Sequence, residues 1–380
     1  MAFIFPGKAS KAEIEIKTER LAAMLEREGL DAVLLNAQQN FAWLTGGGTN
    51  GVDMSRENGV ASILVTRSGK RFILANNIEI KRMIAEEVSK DLFYPIEYSW
   101  QGEKAAGSFV VEKARSVLES DAKLAADVPA RSVPVIEHKI APCRYQLTQN
   151  EIERYMSLGM DAGLAARSVI EKIKPGQTEI EIAATLQNEL AAYNISSVVT
   201  LIAADERVSK FRHPVPTANR WRKTLMLVTC AKRDGLVASL TRIVCVGDVP
   251  PGLDEKTRAA ALVNARLYAA TRPGAVGAGL YKTAVDSYAA AGFPDDIDRH
   301  HQGGAAGYRT RDWVAHPHST DVVQPNQAFA WNPSITGTKI EDTIIIGESE
   351  FEVITRSPDF PTISVELAGR EYLSTGILSI

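Results

Sequence analysis

Four of the chain's six histidines, His300, His301, His316 and His318, fall within nineteen residues of one another. The stretch that holds them, Arg299 to Gly347, also carries Arg311-Asp312-Trp313, Trp331-Asn332-Pro333 and Lys339-Ile340-Glu341-Asp342-Thr343. Imidazole exchanges protons near neutral pH because its ordinary pKa is about 6.5, and a guanidinium fork grips carboxylates in two places. Gly303 and Gly304 beside His301 carry no Cβ and would let a ligand approach the backbone. Acid–base chemistry on a small polar substrate fits this set.

The residues are not equivalent. Neighbouring side chains on an extended segment point to opposite faces, so His301 is expected in the pocket and His300 at its edge or at the surface. Arg311-Asp312 reads as a carboxylate-binding arginine with its acidic neighbour, or equally as a surface ion pair. Glu341 sits in an apolar run, where a carboxylate needs a partner or a raised pKa; it is a candidate for proton transfer or for holding an amino or guanidino group. Trp313 and Trp331 are candidates to line the pocket, against ordinary aromatic packing in a core.

These residues need a framework. At 380 residues the chain exceeds what one core usually supports. Helices are expected over 11–29, 79–88, 104–118, 149–173, 179–193, 254–270 and 280–291. Strands are expected at 31–35, 61–66, 70–75, 197–203, 224–230, 236–246, 327–331, 343–346 and 352–354. The early strands flanking Arg67-Ser68-Gly69 make a hairpin in a mixed sheet. The late ones have no helices between them and favour antiparallel pairing. Thr148 with Glu151 is a capping-box pattern, and the boundary is placed near residue 145: domains 1–145 and 146–380. A helix, helix, strand rhythm before and after Gly247 hints at a duplicated half.

Composition excludes some functions. A net charge of −3 gives no electrostatic reason to expect nucleic acid or an anionic membrane. No eighteen-residue apolar window occurs, and Met1-Ala2-Phe3-Ile4-Phe5-Pro6 lacks a basic start. Cys143, Cys230 and Cys245 match no zinc spacing and read as reduced, buried thiols. A cytoplasmic protein acting on small molecules or short peptides is expected.

Taken together, Lys174-Pro175-Gly176 with Thr178-Glu179, His213-Pro214, Leu240-Thr241-Arg242 closing on Val246-Gly247, the His301 to Gly304 element and Glu341-Asp342-Thr343 carry a resemblance. In their order and separation they resemble the superfamily of creatinase, aminopeptidase P and methionine aminopeptidase over nearly the whole chain. The resemblance implies an α+β fold: a pita-bread C-terminal domain behind a smaller creatinase-type α/β N-terminal domain. It also implies a homodimer, or a dimer of dimers, in which a segment like Asn40-Phe41-Ala42-Trp43-Leu44 is a loop approaching the partner's pocket.

The family's metal enzymes hold two divalent ions with two aspartates, a histidine and two glutamates. The matching positions here are Thr229, Ser239, His301, Asn332 and Glu341, so two of five ligands survive. Hydroxyls and an amide cannot balance a pair of dications, and no metal and no other cofactor is expected. Creatinase is the family's precedent for C–N hydrolysis without metals. That precedent implies His213 as general base, His301 and Glu341 as polarising partners, and Arg311, Asp312, Asn332 and Trp331 around the substrate. Thr241 stands where creatinase has an acidic residue. A metal-independent hydrolase of an amide, amidine or cyclic C–N bond in a carboxylate-bearing substrate is the first expectation. A pita-bread domain that binds a peptide or protein without turnover is the second, and an Xaa-Pro aminopeptidase-like metallopeptidase is the third.

Overall fold

The computed structural model describes residues 9–380; the reading of Met1 to Pro6 lies outside them. The described residues form two compact units that divide between Glu151 and Ile152.

In the first unit, helix α1 (Lys11–Glu28) is capped by the Ser10 hydroxyl, which accepts from the Glu13 N–H, and stopped by Gly29 at φ +64°. Strand β1 (Ala32–Ala37) leads into helix α2 (Gln38–Thr45). Strands β2 (Asn58–Thr66) and β3 (Arg71–Asn76) form the expected hairpin, and α3 (Ile80–Arg82) widens into a single π turn over Met83–Glu87. After β4 (Tyr94–Tyr98), the helix expected over 104–118 is two short ones, α4 (Trp100–Ala105) and α5 (Phe109–Arg115). The chain turns extended at Ala106, φ −141°, before Gly107. Strand β5 (Leu124–Ala126) and helix α6 (Glu137–Ile140) complete the unit. The sheet runs β4-β3-β2-β1-β5, with parallel outer pairs and antiparallel inner ones.

The 40–44 segment is corrected. It is part of α2, not a loop, and Asn40, Phe41, Trp43 and Leu44 are fully buried in the first unit. Asn40 donates to Asp127 and Glu137 and accepts from Arg144. An asparagine with these partners is a core polar hub.

The second unit holds the site. Two helices, α7 (Gln149–Lys172) and α8 (Glu179–Ala191), precede β6 (Ser196–Ala204); Thr178 and Glu181 make a full capping box at the start of α8. After α9 (Arg207–Lys210), β7 (Thr224–Arg233) and β8 (Leu236–Cys245) pair antiparallel along their whole lengths. The pattern then repeats: α10 (Pro251–Ala270), α11 (Gly277–Ala290), and an antiparallel sheet built on β9 (Gly303–Ala306), β11 (Gln327–Trp331) and β14 (Asp342–Ile346). Strand β10 (Trp313–Val314) and β15 (Phe351–Val353) form its edges. Between β11 and β14 a small hairpin pairs β12 (Ser334–Ile335) with β13 (Thr338–Lys339). Every residue of β8, β9, β11 and β14 is buried, as strands covered on both faces must be.

Candidate active site

The site forms where β8 meets the start of β14. Thr241 and Glu341 lie on one side of this junction, Arg242 and Asp342 on the other. On the far side, Arg242 Nη2 meets Asp342 Oδ1 at 2.9 Å, and Thr355 and Thr375 also donate to that carboxylate. On the near side, the Thr241 hydroxyl donates to Glu341 Oε2 at 2.8 Å, and the Thr241 N–H donates to the Glu341 carbonyl at 2.9 Å. The buried Arg242–Asp342 pair therefore pins the two strands in the register that presents Glu341.

Glu341 is buried with two cations. Lys339 Nζ lies 2.7 Å from its Oε2, and Arg311 Nη2 lies 3.0 Å from its Oε1. Burial alone would raise the Glu341 pKa, but Lys339, Arg311 and their hydrogen bonds bring it down to about 2. The expectation of Glu341 as a proton carrier is thereby corrected. A carboxylate this acidic stays charged through the neutral range, so its part is electrostatic.

Arg311 also donates to the Thr310 carbonyl and reaches Ser239 Oγ at 3.4 Å, while its buried Nε has no hydrogen-bond partner. Asn332 is buried beyond the end of β11, where its N–H donates to the Gln302 carbonyl, and its Oδ1 is likewise without a partner. Buried polar atoms are nearly always satisfied. One unmatched donor and one unmatched acceptor here make these two side chains candidates for ligand contact.

Two other expectations are corrected. Trp331 does not line the site: it is fully buried, stacks on Phe329 at 5.8 Å and donates from Nε1 to Thr271. Alternation along β11 sends it to the face opposite Asn332. Asp312 follows Arg311 in a bend before β10; its carboxylate lies beside Gly307, and both charges act on buried Tyr155. Gly303 and Gly304 admit strands rather than a ligand, since a Cβ at either would strike the Ala330 or Trp313 carbonyl oxygen.

The match of Thr229 to a metal-ligand position also shifts. In the hairpin, Ser239 pairs with Cys230 and Thr229 pairs with Leu240. Thr229 therefore faces away and bonds Ser197 Oγ at 2.8 Å, while Cys230 Sγ accepts from Ser239 Oγ at 3.3 Å on the site face. Burial pushes the Cys230 thiol pKa up. Facing Glu341, the wall is thus a thiol and two hydroxyls where paired carboxylates would be needed. Glu341 already balances two cations, buried Lys339 and partly buried Arg311. A dinuclear metal centre does not fit this donor set.

The histidines are arranged differently from expectation. His300 and His301 do not diverge; their rings stack with centroids 4.4 Å apart, and His213 lies 4.9 Å from the His300 ring. Strict alternation belongs to pleated strand, and β9 begins only at Gly303, so the segment leaving the 3-10 helix Pro294–Arg299 is free to turn both rings one way. His300 Nε2 and His213 Nε2 are 3.0 Å apart. The loop carrying His213 is fastened by the neighbouring Arg212, whose Nη2 meets Asp296 Oδ1 at 2.6 Å. Partial desolvation first, then Lys339, lowers the His213 pKa; partial desolvation chiefly brings His300 to about 3, and partial desolvation with Arg311 brings His301 to about 4. All three imidazoles are neutral at pH 7. Sequence reasoning names His213, His301, Arg311, Asn332 and Glu341 as site candidates; it sets His300 outside the pocket and does not single out Lys339, Cys230, Arg212 or Asp296. Lys339, two residues before Glu341, was findable, because a lysine in a buried run must be paired.

Two family models match the chain: "Metallopeptidase family M24" over residues 160–348 and "Creatinase/Prolidase N-terminal domain" over residues 17–128. An uncharacterized peptidase of Bacillus subtilis, YqhT, is 24% identical over 361 residues, covering 90% of this chain and 98% of that protein. Among solved structures, dipeptidase PepE from Mycobacterium ulcerans superposes with TM-score 0.75 at 16% identity, covering 98% of this chain and 100% of that one. An Xaa-Pro dipeptidase from Bacillus anthracis gives 0.72 at 17% identity, with 97% and 100% covered. Among the described residues no helix is long and apolar enough to cross a membrane.

Proposed function

The chain belongs to metallopeptidase family M24, with a pita-bread C-terminal domain behind a creatinase/prolidase-type N-terminal domain, and from that premise we propose that it is a peptidase-type hydrolase working without the family's metal pair. Its substrate is a small molecule with a C–N bond and a free carboxylate, such as a dipeptide or an N-acyl amino acid. The names of its relatives, Xaa-Pro dipeptidase and dipeptidase, point to the same class. The observation that carries this reading is the buried Lys339–Glu341–Arg311 trio. Its two cations take up both carboxylate oxygens of Glu341, Lys339 at Oε2 and Arg311 at Oε1, and its net charge of +1 suits an anionic group.

The tautomers follow from the hydrogen bonds. His300 Nδ1 meets the His301 carbonyl, which only accepts, so it carries the proton and its Nε2 accepts from His213 Nε2–H. The free lone pair of His213 is then on Nδ1. That atom takes a proton from water as the water oxygen bonds to the carbonyl carbon. It returns the proton to the nitrogen as the C–N bond breaks. Lys339 and the unpartnered Arg311 Nε supply donors for the developing oxyanion and the carboxylate, and Asn332 Oδ1 accepts from the substrate amine. His301 borders the same space.

The test is turnover of Xaa-Pro dipeptides and of N-acyl, ureido and amidino amino acids in the presence of a chelator. Activity restored only by added Mn2+, Co2+ or Zn2+ would favour the metallopeptidase reading. Binding without turnover would favour a non-catalytic domain, for which the missing carboxylates speak. The homodimer and the cytoplasmic setting belong to the same proposal; sedimentation tests the first, and three buried free thiols support the second.

A further inference from the structure

The three imidazoles can do more than relay a proton. We propose that His213, His300 and His301 form a mononuclear site for a borderline divalent transition metal, Zn2+ foremost, which shares His301 with the family's ligand set but uses none of its carboxylate positions.

One ring nitrogen from each histidine lies within 4.8 Å of the other two. Tetrahedral zinc with Zn–N of about 2.0–2.1 Å places its ligand nitrogens about 3.3 Å apart. The 3.0 Å separation of His213 Nε2 and His300 Nε2 is within a few tenths of that value, so the ion can replace the shared proton with little movement. Neutral imidazole is a ligand of choice for zinc, copper and nickel and a poor one for magnesium or calcium.

The surroundings are built as metal sites are. The other ring nitrogen of His300 is held by a backbone carbonyl, that of His301, an outer contact that fixes the tautomer and aims Nε2 at the ion. The loop of His213 and the 3-10 helix before His300 are joined by the Arg212–Asp296 pair. Asp296 is itself buried and also accepts from the Thr336 N–H and hydroxyl. His213 and His301 are exposed to solvent, which leaves a fourth position open. Lys339 shares a pocket wall with His300, but its charge is matched by Glu341 at 2.7 Å. What remains favours an anionic fourth ligand. This inference departs from the metal-free expectation, which weighed only the carboxylate set, and it stands whether or not the chain is a hydrolase.

The experiment uses the full chain, stripped with EDTA and dialysed, titrated with Zn2+ by calorimetry and loaded with Co2+ for visible absorption. One Zn2+ per chain and the intense bands of tetrahedral cobalt are expected. Affinity should fall at least tenfold in His300→Ala, in His300→Gln and in His301→Ala, with melting curves confirming that each is folded. Ser239→Ala, at a family metal position, and His318→Ala, in the separate His316–His318 pair, should bind as the parent does. No uptake, uptake unchanged in both His300 variants, or uptake lost in Ser239→Ala or His318→Ala would overturn the proposal. The 3.0 Å contact would then be a hydrogen bond alone.

Discussion

Lys339 and Glu341, two residues apart on either side of Ile340, turn their side chains to the same buried point, Nζ to Oε2 at 2.7 Å. The lysine closes the β12–β13 hairpin and the glutamate immediately precedes β14, so this contact locks the hairpin to the sheet and sets the charge of the site.

Removing the shared carboxylate should be costly. Glu341→Gln leaves Lys339 and Arg311 buried with their counter-charge gone, and a loss of about 3–5 kcal/mol is expected. Urea unfolding measures it. In the double variant with Lys339→Met the loss should be smaller than the sum of the two single losses, because the orphaned ammonium is gone. Strict additivity would refute the coupling.

His213→Ala should lower kcat by about 10²- to 10⁴-fold on any substrate the chain turns over, with binding retained. Arg311→Ala should instead weaken binding, by roughly 2–5 kcal/mol if the carboxylate rests on it. The two variants thus separate kcat from KM. Equal effects on both parameters in both variants would remove this division of roles.

The pH profile follows from the lowered His213 pKa. The neutral ring is the active form, so kcat/KM should be flat at neutral pH and fall only on the acid side, with its midpoint below 6.5. An acid limb centred above 6.5 would exclude His213 as the titrating base.

Stability should fall in acid in two stages. His300 and His301 are held neutral in the folded chain at about 3 and 4 against 6.5 when free, so unfolded chains bind more protons and stability drops as pH falls below about 6.5. Glu341, lowered from 4.5 to about 2, contributes stability above 4.5 that is lost as pH falls toward 2. In His300→Ala the first stage should shrink, as urea unfolding between pH 7 and 5 would show.

Chelation and metal addition should act in opposite directions to those in a metallopeptidase. Activity should survive dialysis against EDTA, and added Zn2+ should inhibit by tying up His213. Activation by Zn2+ would contradict the proposed mechanism.

Local signals in the sequence determined much of this protein. Capping residues such as Ser10, Thr178 and Glu181 and the glycine after Glu28 act within a few residues, so helix ends follow from the sequence. Strands β7, β8, β11 and β14 follow from apolar runs too short for helices. The site region around His301, Arg311 and Glu341 was visible because charged residues inside apolar runs need a reason. What only the tertiary structure decided were relations between distant strands. The β7–β8 register turned Thr229 away and brought Cys230 inward, a one-residue difference that alternation converts into opposite faces. The partners of Glu341 come from Arg311 and Lys339 on separate segments, and they alone decide that it is a fixed anion rather than a proton carrier. The gathering of His213 with His300 and His301 joins positions 87 residues apart. It depends on the Arg212–Asp296 clamp, which no pattern of period two or 3.6 encodes.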